Sequence, residues 1–99
     1  MHARFVTVQL QTAKIEEAIA IYRDAIIPAA RQQQGFLGAR LFVNRATGKG
    51  VSVSRWASEA DLLAGEASGY YAEQIAKLAP LFTAPPIREA FEISVEADA

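Results

Sequence analysis

The sequence predicts an α+β domain of ferredoxin-like order, βαββαβ, with a four-stranded antiparallel sheet and two helices on one face. Three observations carry that expectation. Residues 4–10 alternate between apolar and polar side chains. Residues 36–44 and 51–56 are β-branched and aromatic runs around a turn, Arg45-Ala46-Thr47-Gly48-Lys49-Gly50. Two stretches with helical spacing of apolar residues lie on either side of that hairpin.

The first strand puts Val6, Val8 and Leu10 on one face and Phe5, Thr7 and Gln9 on the other. After Thr12, a candidate N-cap, residues Ile15, Ala18, Ile19, Tyr22, Ile26 and Ala29 form an apolar stripe opposite Glu16, Glu17, Arg23 and Asp24. Pro28 lies inside this pattern, which predicts a kink or loosened turn before the Gly35 stop. In the hairpin, the alternation predicts Val43 opposite Val51, Leu41 with Val53, Phe42 with Ser52, Arg40 with Ser54, and Gly38 near Trp56.

Ser58-Glu59-Ala60-Asp61 reads as a capping box that starts the second helix. Gly65 and Ser68-Gly69 interrupt it, and Tyr71, Ile75, Leu78 and Phe82 continue its stripe. Thr83-Ala84-Pro85-Pro86 is a stiff connector, residues 87–95 alternate as a last strand, and the tail is expected to fray. With this register Phe5, Phe42 and Trp56 share the face that the helices leave open. A cluster of that size predicts that the sheet meets a second copy of itself, giving a homodimer.

Composition narrows the chemistry. A chain of 99 residues is one domain, 1–99, that buries roughly 60–70% of its unfolded surface. It has no apolar run near the roughly 18 residues of a membrane span and no signal-like segment, so a cytoplasmic protein is expected. Zero cysteines remove thiolate catalysis and thiolate metal sites, and the single histidine, His2, precedes the first strand. A net charge of −1 gives no footprint for nucleic acid. Gly48-Lys49-Gly50 reads as a turn, because no helix follows it to make a phosphate loop.

The run Tyr22-Arg23, Pro28, Arg31, Gly35-Phe36-Leu37-Gly38, Trp56-Ala57-Ser58-Glu59 and Ser68-Gly69-Tyr70 resembles the antibiotic biosynthesis monooxygenase family of dimeric α+β barrels. The resemblance spans nearly the whole chain. It implies two sheets packed face to face in a dimer and a pocket between each sheet and its helices. It also implies oxidation of a phenolic or quinone-type aromatic by molecular oxygen without a cofactor. A branch of that family degrades haem through an asparagine on the first strand and a histidine on the second helix. Here Thr7, or its neighbours Val6 and Val8, and Tyr70 or Tyr71 stand at those places, so neither haem nor a metal is expected.

The strand-exit tryptophan of the family corresponds to Trp56, which either stacks on a flat substrate or fills the core. Thr7, Arg40, Ser52 and Ser54 line a pocket or sit in the dimer interface. Tyr70 and Tyr71 point about 100° apart on a helix, so one of the two is expected to reach a pocket. Glu16-Glu17 and Glu59-Asp61 read as helix first-turn acids rather than a catalytic pair. The substrate-binding candidates are therefore Trp56, Tyr70, Tyr71, Arg40 and Thr7, with no catalytic base identified. Two functions follow: a cofactor-independent oxygenase, or a non-catalytic ligand-binding or regulatory module of the same fold.

Overall fold

Alternation becomes strand where it was expected. In the computed structural model, which describes residues 1–99, β1 (His2–Gln9), β2 (Phe36–Val43), β3 (Lys49–Trp56) and β4 (Ile87–Glu92) form one antiparallel sheet in the order β2-β3-β1-β4. The helices cover one face. β4 stops at Glu92, short of the expected Val95, and is exposed along its length as an edge strand.

The hairpin register differs from the predicted one by a single residue. Val43 faces Gly50, Phe42 faces Val51, Leu41 faces Ser52, Arg40 faces Val53 and Ala39 faces Ser54. Two local features fix this. Asn44 ties the turn, its Oδ1 accepting from the N–H of Ala46 and of Thr47 at 3.0 and 3.2 Å, while its own N–H donates to the Lys49 carbonyl. Gly50 then sits buried in mid-sheet between Val43 and Val8, where a Cβ would lie 3.1 Å from Val8 Cγ2. At the far end of the hairpin, Phe36 pairs with Trp56 and Gly38 with Arg55, so Leu37 is an extra residue in a β-bulge.

A one-residue slip moves a whole strand to the other face. Trp56 therefore leaves the open face predicted for it and turns under the helices, where it is 1% exposed. The covered face carries Arg4, Val6, Val8 and Leu10 from β1 and its end, Ala39 and Leu41 from β2, and Ser52, Ser54 and Trp56 from β3. Val6, Val8 and Leu10 pack with Ile15, Ala18, Tyr22, Leu78 and Leu81 as the core.

The first helical segment begins with a 3-10 turn (Thr12–Lys14) that has no side-chain cap, so Thr12 does not serve as the N-cap. It then runs as α1 (Ile15–Ile21), a π-helical turn (Tyr22–Ile26) and α2 (Ile27–Ala30). The π turn is the loosening expected from Pro28. Proline offers no N–H to the preceding turn, and the Ile27 N–H reaches back five residues to the Tyr22 carbonyl. The wider turn takes up one residue, and Ala30 rather than Ala29 becomes buried.

Ser58 caps α3 (Glu59–Ala67) as its sequence predicts, its Oγ accepting from the Asp61 N–H at 3.1 Å. Gly65 does not interrupt this helix; it is buried inside it. The break falls at Ser68-Gly69, where Gly69 takes φ +88° before α4 (Tyr70–Leu78) begins. No helix is long and apolar enough to cross a membrane.

Two substitutions test this account of the helix ends. Ser58→Ala should cost about 1 kcal/mol by orphaning a helix N–H. Gly69→Ala, with open space around its Cβ but a left-handed backbone, should cost about 1–2 kcal/mol. Urea denaturation measures both, and an unchanged midpoint in either variant would remove that residue from the explanation.

Candidate functional site

Between the covered face and the helices lies a cavity of about 80 Å³. Its floor is Arg4, Val6, Val8, Phe36, Ala39, Leu41, Ser52, Ser54 and Trp56, and its roof is Tyr22, Ile26, Ile27, Ala30, Tyr70, Tyr71, Gln74, Ile75 and Leu78. Aromatic rings dominate one end. Trp56 meets Phe36 edge to face at 5.5 Å and Tyr70 at 6.5 Å between ring centres. The indole N–H donates to Ser54 Oγ at 3.0 Å, which holds the ring in place.

Tyr22 hangs from the π turn with its hydroxyl 2.9 Å from Ser52 Oγ and donating to the Arg40 carbonyl at 3.4 Å. Burial pushes its phenol above the ordinary tyrosine value, and the bond to Ser52 offsets part of that rise. Burial also raises Tyr70 and Tyr71, against the pull of nearby arginines: Arg4 for Tyr70, and Arg88 and Arg4 for Tyr71.

Arg4 supplies the positive charge. It is 3% exposed, its guanidinium lying 5.4 Å from the Trp56 ring centre and 4.8 Å from that of Tyr71. Arg88 lies 4.8 Å from the same Tyr71 ring, so that phenol is flanked by two cations. Glu66 approaches both, at 3.9 Å from Arg4 Nε and 3.6 Å from Arg88 Nη1. Desolvation lowers the Arg4 pKa, with Glu66 the largest opposing influence. Gly65 makes room for this group, since a Cβ there would lie 3.2 Å from the Tyr70 ring and 3.9 Å from Arg4 Nη2.

Of the five predicted binding residues, Trp56, Tyr70 and Tyr71 line the cavity. Both tyrosines do so, contrary to the expectation of one, because Tyr70 with Gln74 and Tyr71 with Ile75 form adjacent stripes that together face the sheet. Arg40 and Thr7 are not at the cavity. Arg40 pairs with Val53 on the open face, and Thr7 pairs with Val51 and Ile87 on that same side. Arg40 shares strand parity with Phe42 and Thr7 with Phe5, which keeps both on the open face while the shifted register takes Trp56 away from them. Arg4 and Tyr22 are the residues that sequence reasoning missed. Arg4 had a signal, since it shares strand parity with Val6, Val8 and Leu10 and so is a cation on the core face.

No three His, Cys, Asp or Glu side chains gather as a metal-binding group. The family model described as antibiotic biosynthesis monooxygenase matches residues 1–77. The chain belongs to that family. It is 31% identical over 98 residues to the Mycobacterium tuberculosis protein Rv2557, covering 95% of this chain but only 41% of that protein's length. Among solved structures, the Streptomyces coelicolor monooxygenase from ActVA-Orf6, bound to nanaomycin D, superposes with a TM-score of 0.82 at 19% identity, covering 99% of this chain and 91% of the other. A point mutant of MhuD with two manganese protoporphyrin IX molecules bound per active site gives 0.80 at 17% identity over the full length of both chains. These likenesses establish the shared fold.

The raised phenols have a consequence for stability. A tyrosine whose folded pKa lies above its unfolded value, about 10, binds its proton more tightly when folded. Folding stability is then constant below that pH and falls as pH rises toward the folded pKa. Tyr22→Phe should reduce this alkaline loss and cost about 1 kcal/mol at neutral pH, from the lost bond to Ser52. Urea unfolding of both proteins at pH 7 and at alkaline pH measures it, and parallel stability curves would show that Tyr22 contributes nothing to the alkaline loss.

Proposed function

We propose that this protein is a cofactor-independent monooxygenase acting on a small phenolic or quinone-type aromatic, and that it works as a homodimer. The observation that carries the reading is the cavity itself: aromatic and aliphatic walls around Trp56, Tyr22, Tyr70 and Tyr71, with polar side-chain atoms only from Arg4, the phenols, the indole N–H, Ser52, Ser54 and Gln74. Such walls hold a flat ring and exclude water. The substrate then supplies its own electrons to oxygen. For an anthrone, the reacting ring carbon keeps one oxygen atom as a carbonyl, and the other leaves as water with that carbon's two hydrogens.

The cavity is small for a polycyclic molecule, so entry requires the roof to move. The hinge at Gly69 separates α4, which carries Tyr70 and Tyr71, from the capped α3, and supports motion of that roof. A second reading, a binding module without turnover, draws on a different observation. No carboxylate or imidazole lines the cavity, and its phenols are shifted away from neutrality, so the chain offers no poised base there.

The dimer is supported by the open face of the sheet. Phe42, Ile87 and Phe91 are 54%, 59% and 50% exposed there, and Phe5 meets Phe91 edge to face at 5.4 Å. A contiguous apolar face of this kind marks an interaction surface. Light scattering at micromolar concentration should give twice the chain mass, and Phe42→Glu should shift it toward the monomer. A wild-type monomer would overturn the assembly.

Anthrone should be consumed with oxygen uptake and no added flavin or metal. Binding without uptake would favour the module. Trp56 is too deeply buried for truncation to alanine, which would cost about 3–5 kcal/mol of stability. Trp56→Phe should instead keep the fold and weaken binding of a hydroxynaphthoquinone by up to about 1 kcal/mol. Unchanged affinity would remove Trp56 from the site.

A further inference from the structure

Arg4 is less well satisfied than a buried cation in a finished core. Its Nη1 is buried with no hydrogen-bond partner. Glu66 stands 3.9 Å from Nε, beyond hydrogen-bond range, and is shared with Arg88. Two guanidinium groups thus face one carboxylate, leaving a local excess of positive charge. The remaining neighbours are rings: Trp56 from β3, with Tyr70 and Tyr71 from α4. Their faces attract a cation but accept few of its five N–H donors. A buried charge with unmet donors is costly, and an aliphatic side chain at this strand position would pack without that cost.

We propose that Arg4 is the anion-recognising residue of the cavity, and that the aromatic ligand taken there carries a negatively charged oxygen held by its guanidinium. This rests on the reading of the cavity as an aromatic site, and it specifies the charge of the ligand. It also accounts for a cavity without a base: a ring hydroxyl that arrives ionised needs none. The stacked rings orient the guanidinium edge, and the dry surroundings strengthen its bond to an oxyanion. Glu66 is the carboxylate that competes for the same charge.

Isothermal calorimetry at neutral pH with a hydroxynaphthoquinone, ionised in water, and its neutral methyl ether tests this on the unmodified protein. The ionised compound should bind roughly tenfold or more tightly than the ether. Arg4→Gln should abolish that preference while leaving the ether's affinity nearly unchanged, Arg4→Lys should retain part of it, and Glu66→Gln should strengthen binding of the ionised compound alone. A naphthoate compared with its methyl ester distinguishes a carboxylate ligand from a ring oxyanion, and a preference for either anion supports the proposal. Equal affinity for charged and neutral probes in the unmodified protein would overturn the role of Arg4 while leaving the aromatic site standing. So would a preference that survives in Arg4→Gln. Failure of every probe to bind would overturn both.

Discussion

A side chain on a β-strand has two directions open to it, and in this protein that choice separates cavity from open surface. Arg4, Ser52, Ser54 and Trp56 point under the helices, whereas Phe5, Arg40, Phe42 and Phe91 point away from them. Gly50 seats β3 between its neighbours in one register, and the bulge at Leu37 lets Phe36 rejoin Trp56 on the covered side. Without the bulge, continued alternation would put Leu37 opposite Trp56 in place of Phe36 and leave the indole without its edge-to-face partner. One extra residue in β2 therefore decides which ring Trp56 packs against.

The helices complete the site through their irregularities. The π turn that accommodates Pro28 begins at Tyr22, the residue whose hydroxyl reaches Ser52 across the cavity. The left-handed Gly69 ends α3 and restarts the chain as α4 with two tyrosines in its first turn. Regular helices would bury their apolar stripes and close the gap. Here each departure from regularity supplies a polar ring to the space between layers, as π turns and helix breaks at functional sites commonly do.

The order of elements, the Ser58 cap, the break at Gly69 and the loosening near Pro28 were legible because each follows from local chemistry. The register of the hairpin was not. Val43 opposite Val51 and Val43 opposite Gly50 differ by one residue, and the alternation of residues 36–44 suits both; only the packing of Gly50 against Val8 on a third strand separates them. The shift carries Trp56, with Ser52 and Ser54, to the covered face and leaves Arg40 with Phe42 on the open one. Arg4 was passed over for a different reason. A charged residue at a strand's first turn is usually solvated, and its burial depends on Gly65, Tyr71 and Glu66, which lie far along the chain beyond the hairpin.

That burial also explains why the cation is an arginine. A lysine in the same place would give up part of its charge to desolvation, since its ordinary value lies much closer to neutrality. Arginine stays charged through the downward shift that burial imposes. Its planar group can stack over Trp56 and Tyr71 and still keep an edge free, whereas an ammonium would spend its donors on whichever acceptor lay nearest. Folding tolerates the unmet donors because Glu66 and two aromatic faces offset much of the charge, even though Arg88 on β4 shares the same carboxylate. The arrangement balances the guanidinium without saturating it, and that unsaturated cation beside aromatic walls is what the proposed selection of a ligand by charge rests on.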